Sequence, residues 1–195
     1  MIWGVGTGRC GTKSLAKELG GVHEPVPWLH DEPKRWYLSG NPDSPLELII
    51  VMRAELDTPV VVDFKNSYMM RLILTIDIRA KFIWIIREPV QCIKSMMKGK
   101  WFQGGDNPGE DLIHPWSEWD KGQDALSKCV WYYRTVNEHI LKYSRYVSAV
   151  YFTEDLEAHE NEYPADIKYS FTEQELDYIH NRCDSIYKKA RLLKI

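Results

Sequence analysis

The chain is a succession of short, unbroken apolar runs separated by longer stretches in which apolar residues recur every three or four positions. Residues 1–5 (MIWGV), the run VVVDF opened by Pro59, FIWII at 82–86 and VSAVYF at 147–152 are too short for helices and rich in β-branched and aromatic side chains, so they read as buried strands. Val22 and His23 form a further short strand, stopped by Glu24 and Pro25. Helices fall between these runs. TKSLAKEL leads from the glycine loop to Gly20 and Gly21, which close it. A helix is predicted from Ser44, with Pro45 at its first position and Glu47 completing a capping box. Others are predicted over 67–78, from Pro89 to Gly99, and from Ser117 to about Tyr143, where Trp119, Leu126, Val130, Tyr133, Val136 and Ile140 share a face. A last helix, over 172–194, starts from the Thr172 and Glu175 capping pair.

Three segments lack either rhythm. Residues 25–42 form a Pro- and Trp-containing loop, 99–116 a glycine-rich candidate lid, and 154–162 an acidic, solvated linker. Strands that alternate with helices, without hairpin signals, specify an α/β fold: a parallel sheet covered by helices on both faces. Ligands bind such sheets at the carboxyl ends of the strands. The glycine loop at 6–12, Glu24, Asp63 to Lys65 and Arg87 all fall at those ends, although they are scattered in sequence.

Length and charge narrow the classes. The 195 residues suit one domain spanning 1–195, and a net charge of −3 with both signs interspersed gives no field to track a nucleic-acid backbone or an anionic membrane. Any anion site must be local. The four cysteines, Cys10, Cys92, Cys129 and Cys183, form no CxxC pair, and the histidines lack metal-ligand spacing, so neither a dithiol centre nor a metal site is expected. Without a leader-like or membrane-length apolar stretch, the expected location is cytoplasmic.

The chemistry begins at GTGRCGTKS, residues 6–14. A glycine loop between strand and helix turns backbone amides toward an anion, and the helix dipole and a lysine add positive potential. The triphosphate-binding pattern GxxxxGK[ST] fails here by one residue, because Thr12 separates Gly11 from Lys13. The segment Arg9 to Leu15 (RCGTKSL) instead resembles the 5′-phosphosulfate loop of sulfotransferases that use 3′-phosphoadenosine 5′-phosphosulfate (PAPS). IIREPVQCIKS resembles that family's 3′-phosphate site, with Arg87 at a strand end and Ser95 eight positions on, and residues 131–156 resemble its late helix and strand. Among its members the likeness is closer to carbohydrate, heparan-type and bacterial enzymes.

The resemblance implies a P-loop-containing three-layer sandwich of about five parallel strands in the order 2-3-1-4-5. It further implies a PAPS co-substrate, no required metal, and a small-molecule or carbohydrate acceptor. In that reading Gly11, Thr12, Lys13 and Ser14 hold the 5′-phosphosulfate with Arg9 assisting, Cys10 and Leu15 complete the loop, and Arg87 and Ser95 hold the 3′-phosphate. A guanidinium fork with a hydroxyl suits a phosphate that ATP lacks. Lys13 stabilises the leaving oxygen. Glu24, which resembles the Glu-Pro of several carbohydrate sulfotransferases, is the base, with His23 as its rival. Lys65 resembles the lysine after the third strand of heparan-type enzymes, near donor and acceptor.

Other readings use the same residues. Arg87 could pair with Glu88, and Cys10 and the tyrosines of 131–133 read as packing residues rather than chemical ones. Four apolar residues followed by Asp63 resemble the magnesium-positioning acid of nucleotide kinases and ATPases. A nucleotide-binding module that has lost its base is the third class.

Overall fold

The structure, a computed structural model, describes residues 1–25, 59–103, 124–156 and 169–193. The helix expected from Ser44, nearly all of the loop at 25–42, most of the 99–116 segment and the acidic stretch from 157 lie outside the described residues.

Five strands form one parallel sheet: β1 (Ile2–Val5), β2 (Val22–His23), β3 (Val60–Val62), β4 (Lys81–Ile86) and β5 (Val147–Phe152), in the order β2-β3-β1-β4-β5. The expected order and parallel sense are borne out. Registers run from Ile2 opposite both Val60 and Lys81 to Val5 opposite Trp84, and from His23 opposite Val62 to Ile86 opposite Phe152. Between β4 and β5 the pairing skips Ser148, whose Oγ donates to the Phe82 carbonyl at 3.1 Å. In β4 every residue after Lys81 is buried, as a central strand covered on both faces requires.

The helices are α1 (Thr12–Glu18), α2 (Asn66–Ile76), α3 (Pro89–Lys98), α4 (Ala125–Lys142) and α5 (Glu173–Leu192). Right-handed crossovers put α1 on one face of this strand order and α2, α3 and α4 on the other. The packing agrees: α1 lies against β1, β2 and β3, whereas α4 packs on α2, α3 and α5. Trp84 reaches from the sheet into this helical layer, donating from Nε1 to Asn137 Oδ1 at 3.1 Å, and Asn137 donates in turn to the Tyr133 carbonyl.

Side chains fix the starts of α3, α4 and α5. Glu88 accepts from the amides of Val90 and Gln91 at 3.0 and 2.8 Å, with Pro89 at the first position of α3. Asp124 caps α4, and Thr172 with Glu175 forms the expected capping box of α5. No helix among the described residues is long and apolar enough to cross a membrane.

Candidate functional site

Because the strands are parallel, all five carboxyl ends lie at one edge, and the strand order sets what stands beside what. His23 and Glu24 follow β2, Asp63 and Lys65 follow β3, the glycine loop follows β1, Arg87 follows β4 and Thr153 follows β5. Neighbouring strands are about 4.8 Å apart, so the row spans roughly 20 Å with the glycine loop at its centre.

The loop is shaped by two left-handed residues, Arg9 at φ 66° and Gly11 at φ 92°. Alternating backbone hands of this kind cup amides around an anion. The first helical bond of α1 runs from Leu15 N to Gly11 O at 3.0 Å, so the amides of Thr12, Lys13 and Ser14 precede the helical ladder. Lys13 is exposed on that first turn and Ser14 half-buried. Cys10 and Leu15 are fully buried, so neither side chain is open to a ligand, and the Leu15 amide is already bonded to Gly11 O. The Cys10 thiol donates to the Thr7 carbonyl, and burial pushes its pKa far up, which makes it a packing residue and no nucleophile.

Four distant side chains hold the loop. Ser67 Oγ accepts from Gly6 N at 2.9 Å and donates to Gly6 O at 2.8 Å. Tyr132 OH accepts from Gly8 N at 3.4 Å and from Tyr68 OH at 3.1 Å. Thr153 Oγ1 donates to the Cys10 carbonyl. Trp101 lies so close to Gly8 that a Cβ there would meet the indole Cη2 at 2.3 Å, which only glycine avoids. None of these four was singled out as a site residue from sequence. Tyr132 and Tyr133 are indeed buried in the core, yet the Tyr133 hydroxyl also donates to the Arg87 carbonyl at 2.8 Å.

On the β4 side, Arg9 Nε donates to Ser95 Oγ at 3.3 Å and Arg87 Nη1 to the Arg9 carbonyl at 3.3 Å. The Arg9 side chain thus reaches Ser95, while its backbone carbonyl holds Arg87. The alternative pairing of Arg87 with Glu88 does not occur: Glu88 caps α3, and Arg87 has no carboxylate in ion-pair range among the described residues. Two guanidiniums and a hydroxyl therefore stand together beside the glycine loop.

The β2 and β3 side is acidic. Thr12 Oγ1 and His23 Nε2 are 3.0 Å apart, and the same nitrogen lies 3.5 Å from Glu24 Oε1, so His23 and Glu24 face one point rather than opposite sides of a strand. The strand has ended by Glu24, whose φ of 44° swings its side chain out of the alternation. A non-glycine residue in that region costs about 1–2 kcal/mol, and such strain concentrates at functional sites.

Lys65 does not stand as an open cation. It is 1 % exposed, and its Nζ lies 3.5 Å from Asp63 Oδ2 while its amide donates to Asp63 Oδ1 at 2.9 Å. Burial pushes the Asp63 carboxyl up, Lys65 opposes that push, and the Glu24 carboxylate reinforces it. Glu24 and the Asp63–Lys65 pair thus share one electrostatic environment. Asn66 ties the two strand ends below them, donating to the carbonyls of Gly4 and Val61 at 3.1 and 3.2 Å.

No protein-family model, no curated protein and no solved structure matches this chain.

Proposed function

We propose that the chain is a sulfotransferase, moving a sulfuryl group from PAPS to a hydroxyl or amine of a small-molecule or carbohydrate acceptor. The observation that carries this reading is lateral order: the Arg9, Ser95 and Arg87 cluster on one side of the glycine loop and the His23 and Glu24 pair on the other. An anion bound by the loop would have a second anion subsite on its β4 side and a proton acceptor on its β2 side. A donor carrying both a 5′-phosphosulfate and a 3′-phosphate, with an acceptor approaching from opposite the nucleotide, fits that layout. A nucleoside triphosphate leaves the Arg cluster without a use.

The chemistry is an in-line displacement. The acceptor oxygen or nitrogen forms a bond to sulfur as the sulfur–oxygen bond to the 5′-phosphate breaks, and 3′,5′-adenosine bisphosphate leaves with the bridging electron pair. Glu24 takes the acceptor proton, with His23 positioned between Glu24 and Thr12. Lys13 and the amides at the start of α1, the P-loop of this reading, stabilise the charge that develops on the leaving oxygen. Lys65 holds Asp63 and shapes the field at Glu24 instead of contacting the sulfate. No metal enters this scheme.

The runner-up, a Mg-ATP-dependent kinase or ATPase with Asp63 on the metal, is disfavoured because both Asp63 oxygens already accept from Lys65. The test is turnover. Incubated with PAPS and a panel of hydroxyl and amine acceptors in chelator, the protein should release 3′,5′-adenosine bisphosphate, and Lys13→Ala and Glu24→Gln should each slow release at least roughly a hundredfold. Release that both variants leave unchanged, or turnover of ATP alone and only with magnesium, would contradict the proposal.

A further inference from the structure

At the opposite edge of the sheet, where the strands begin, a cavity of about 280 Å³ is lined by Arg71, Leu74 and Thr75 of α2 and by Tyr143, Arg145 and Tyr146, which lead into β5. Two guanidiniums share it, and no carboxylate among the described residues lines it. Arg134 and Arg191 show the contrast, for each has a carboxylate partner, at 2.8 Å on Glu138 and 3.3 Å on Asp155. Neither Arg71 nor Arg145 has such a partner among the described residues.

The cavity is also organised. Arg145 Nη2 donates to Tyr146 OH at 2.7 Å, and the guanidinium carbon sits 4.6 Å from the centre of the Tyr146 ring, so the side chain is held in place before any ligand arrives. Thr75 Oγ1 donates to the Arg71 carbonyl at 3.0 Å, pinning the turn of α2 that carries Arg71. Tyr143, which also lines the cavity, packs its ring on His139, centroids 5.1 Å apart.

We propose that this cavity is a second anion site, separate from the glycine loop, that takes a small oxyanion: a carboxylate, phosphate or sulfate, free or carried on one ring. Guanidinium forks bind such groups through paired hydrogen bonds, and a cavity just below the usual range for drug-sized ligands suits a fragment of that size. A six-residue strand such as β4 separates the two edges by roughly 20 Å, so no ligand that fits here also touches the glycine loop.

Nitrogen-15 NMR of the arginine side chains tests this on the intact chain, with inorganic phosphate and phenyl phosphate as the probes. The Nε–H signals of Arg71 and Arg145, assigned by their loss in Arg71→Lys and Arg145→Lys, should shift together and saturate in the millimolar range. Arg71→Lys should weaken binding roughly tenfold, since an ammonium keeps the charge but not the fork. Saturation by phenyl phosphate alone would support the ring-borne form and saturation by phosphate the free ion. The amides of Gly8 and Gly11 report any binding at the glycine loop separately. If neither probe gives saturable shifts, or if both lysine variants bind as the unaltered chain does, the arginines are only solvated surface charges and the proposal fails.

Discussion

Thr153 shows how much one hydroxyl at a strand end can fix. It donates to the Cys10 carbonyl and, at 3.4 Å, to the Ile86 carbonyl, and so ties the glycine loop to the end of β4. Thr153→Val should lower stability by about 1 kcal/mol in denaturant titration and weaken binding of 3′,5′-adenosine bisphosphate, while Thr153→Ser restores both. Loss in Thr153→Ser with none in Thr153→Val would show that the methyl, not the hydroxyl, matters. In the proposed reading Arg87 contacts the 3′-phosphate itself. Removing it as Arg87→Ala should cost roughly 10- to 100-fold in affinity for the bisphosphate and far less for AMP, which has no 3′-phosphate to lose. His139 carries a pH dependence unrelated to chemistry: burial, with Lys142 adding to it, lowers its pKa from 6.5 to about 4. The unfolded chain therefore binds this proton first on acidification. The stability it contributes is complete above about pH 6.5 and is lost as pH falls toward 4, up to about 3 kcal/mol. Denaturant midpoints measured between pH 7 and 4 should fall more steeply for the unaltered chain than for His139→Gln, and parallel slopes would contradict this.

At the scale of elements, most of the described fold was legible. Short apolar runs gave four of the five strands, with Val22 and His23 the fifth, and capping residues placed the starts of α3 and α5, because burial and orphaned backbone amides leave local marks. The glycine loop, His23, Glu24 and Arg87 stand at ends of strands that the sequence marks, whereas Ser95 was named only through the resemblance. Ser67, Tyr132 and Thr153 could not be found from sequence. They reach the loop across 61, 124 and 143 residues of sequence, and no local pattern encodes such a contact. Thr153 had one signal, since it stands directly after β5 at the edge where the other site residues gather. For Lys65, the resemblance gave a place near donor and acceptor, and only the fold reveals that it is buried with Asp63 beside it. The loop glycines carry an element-scale prediction. Gly8→Ala drives a methyl into Trp101 and should lower the melting temperature by several degrees, whereas Gly8→Ala combined with Trp101→Leu should recover part of the loss. A double variant no better than the single would mean that the glycine serves backbone conformation rather than the indole.

Across the whole molecule the strand order makes the site directional. Crossovers to the left of β1 carry His23, Glu24, Asp63 and Lys65, those to its right carry Arg87 and Thr153, and the glycine loop stands at the reversal between them. That reversal is where open parallel sheets bind ligands, since the loops on either side part there. The directional layout makes a specific claim about the ligand: it has two anionic groups, one for the loop and one for the Arg9, Arg87 and Ser95 cluster, and needs no metal to bridge them. Isothermal calorimetry with 3′,5′-adenosine bisphosphate, ADP and ATP, each with and without magnesium, measures that claim directly. The bisphosphate should bind at least roughly tenfold tighter than ADP, unaffected by magnesium, from the extra contacts to its 3′-phosphate. Tighter binding of ATP, dependent on magnesium, would contradict the sulfotransferase reading and assign the glycine loop to a triphosphate.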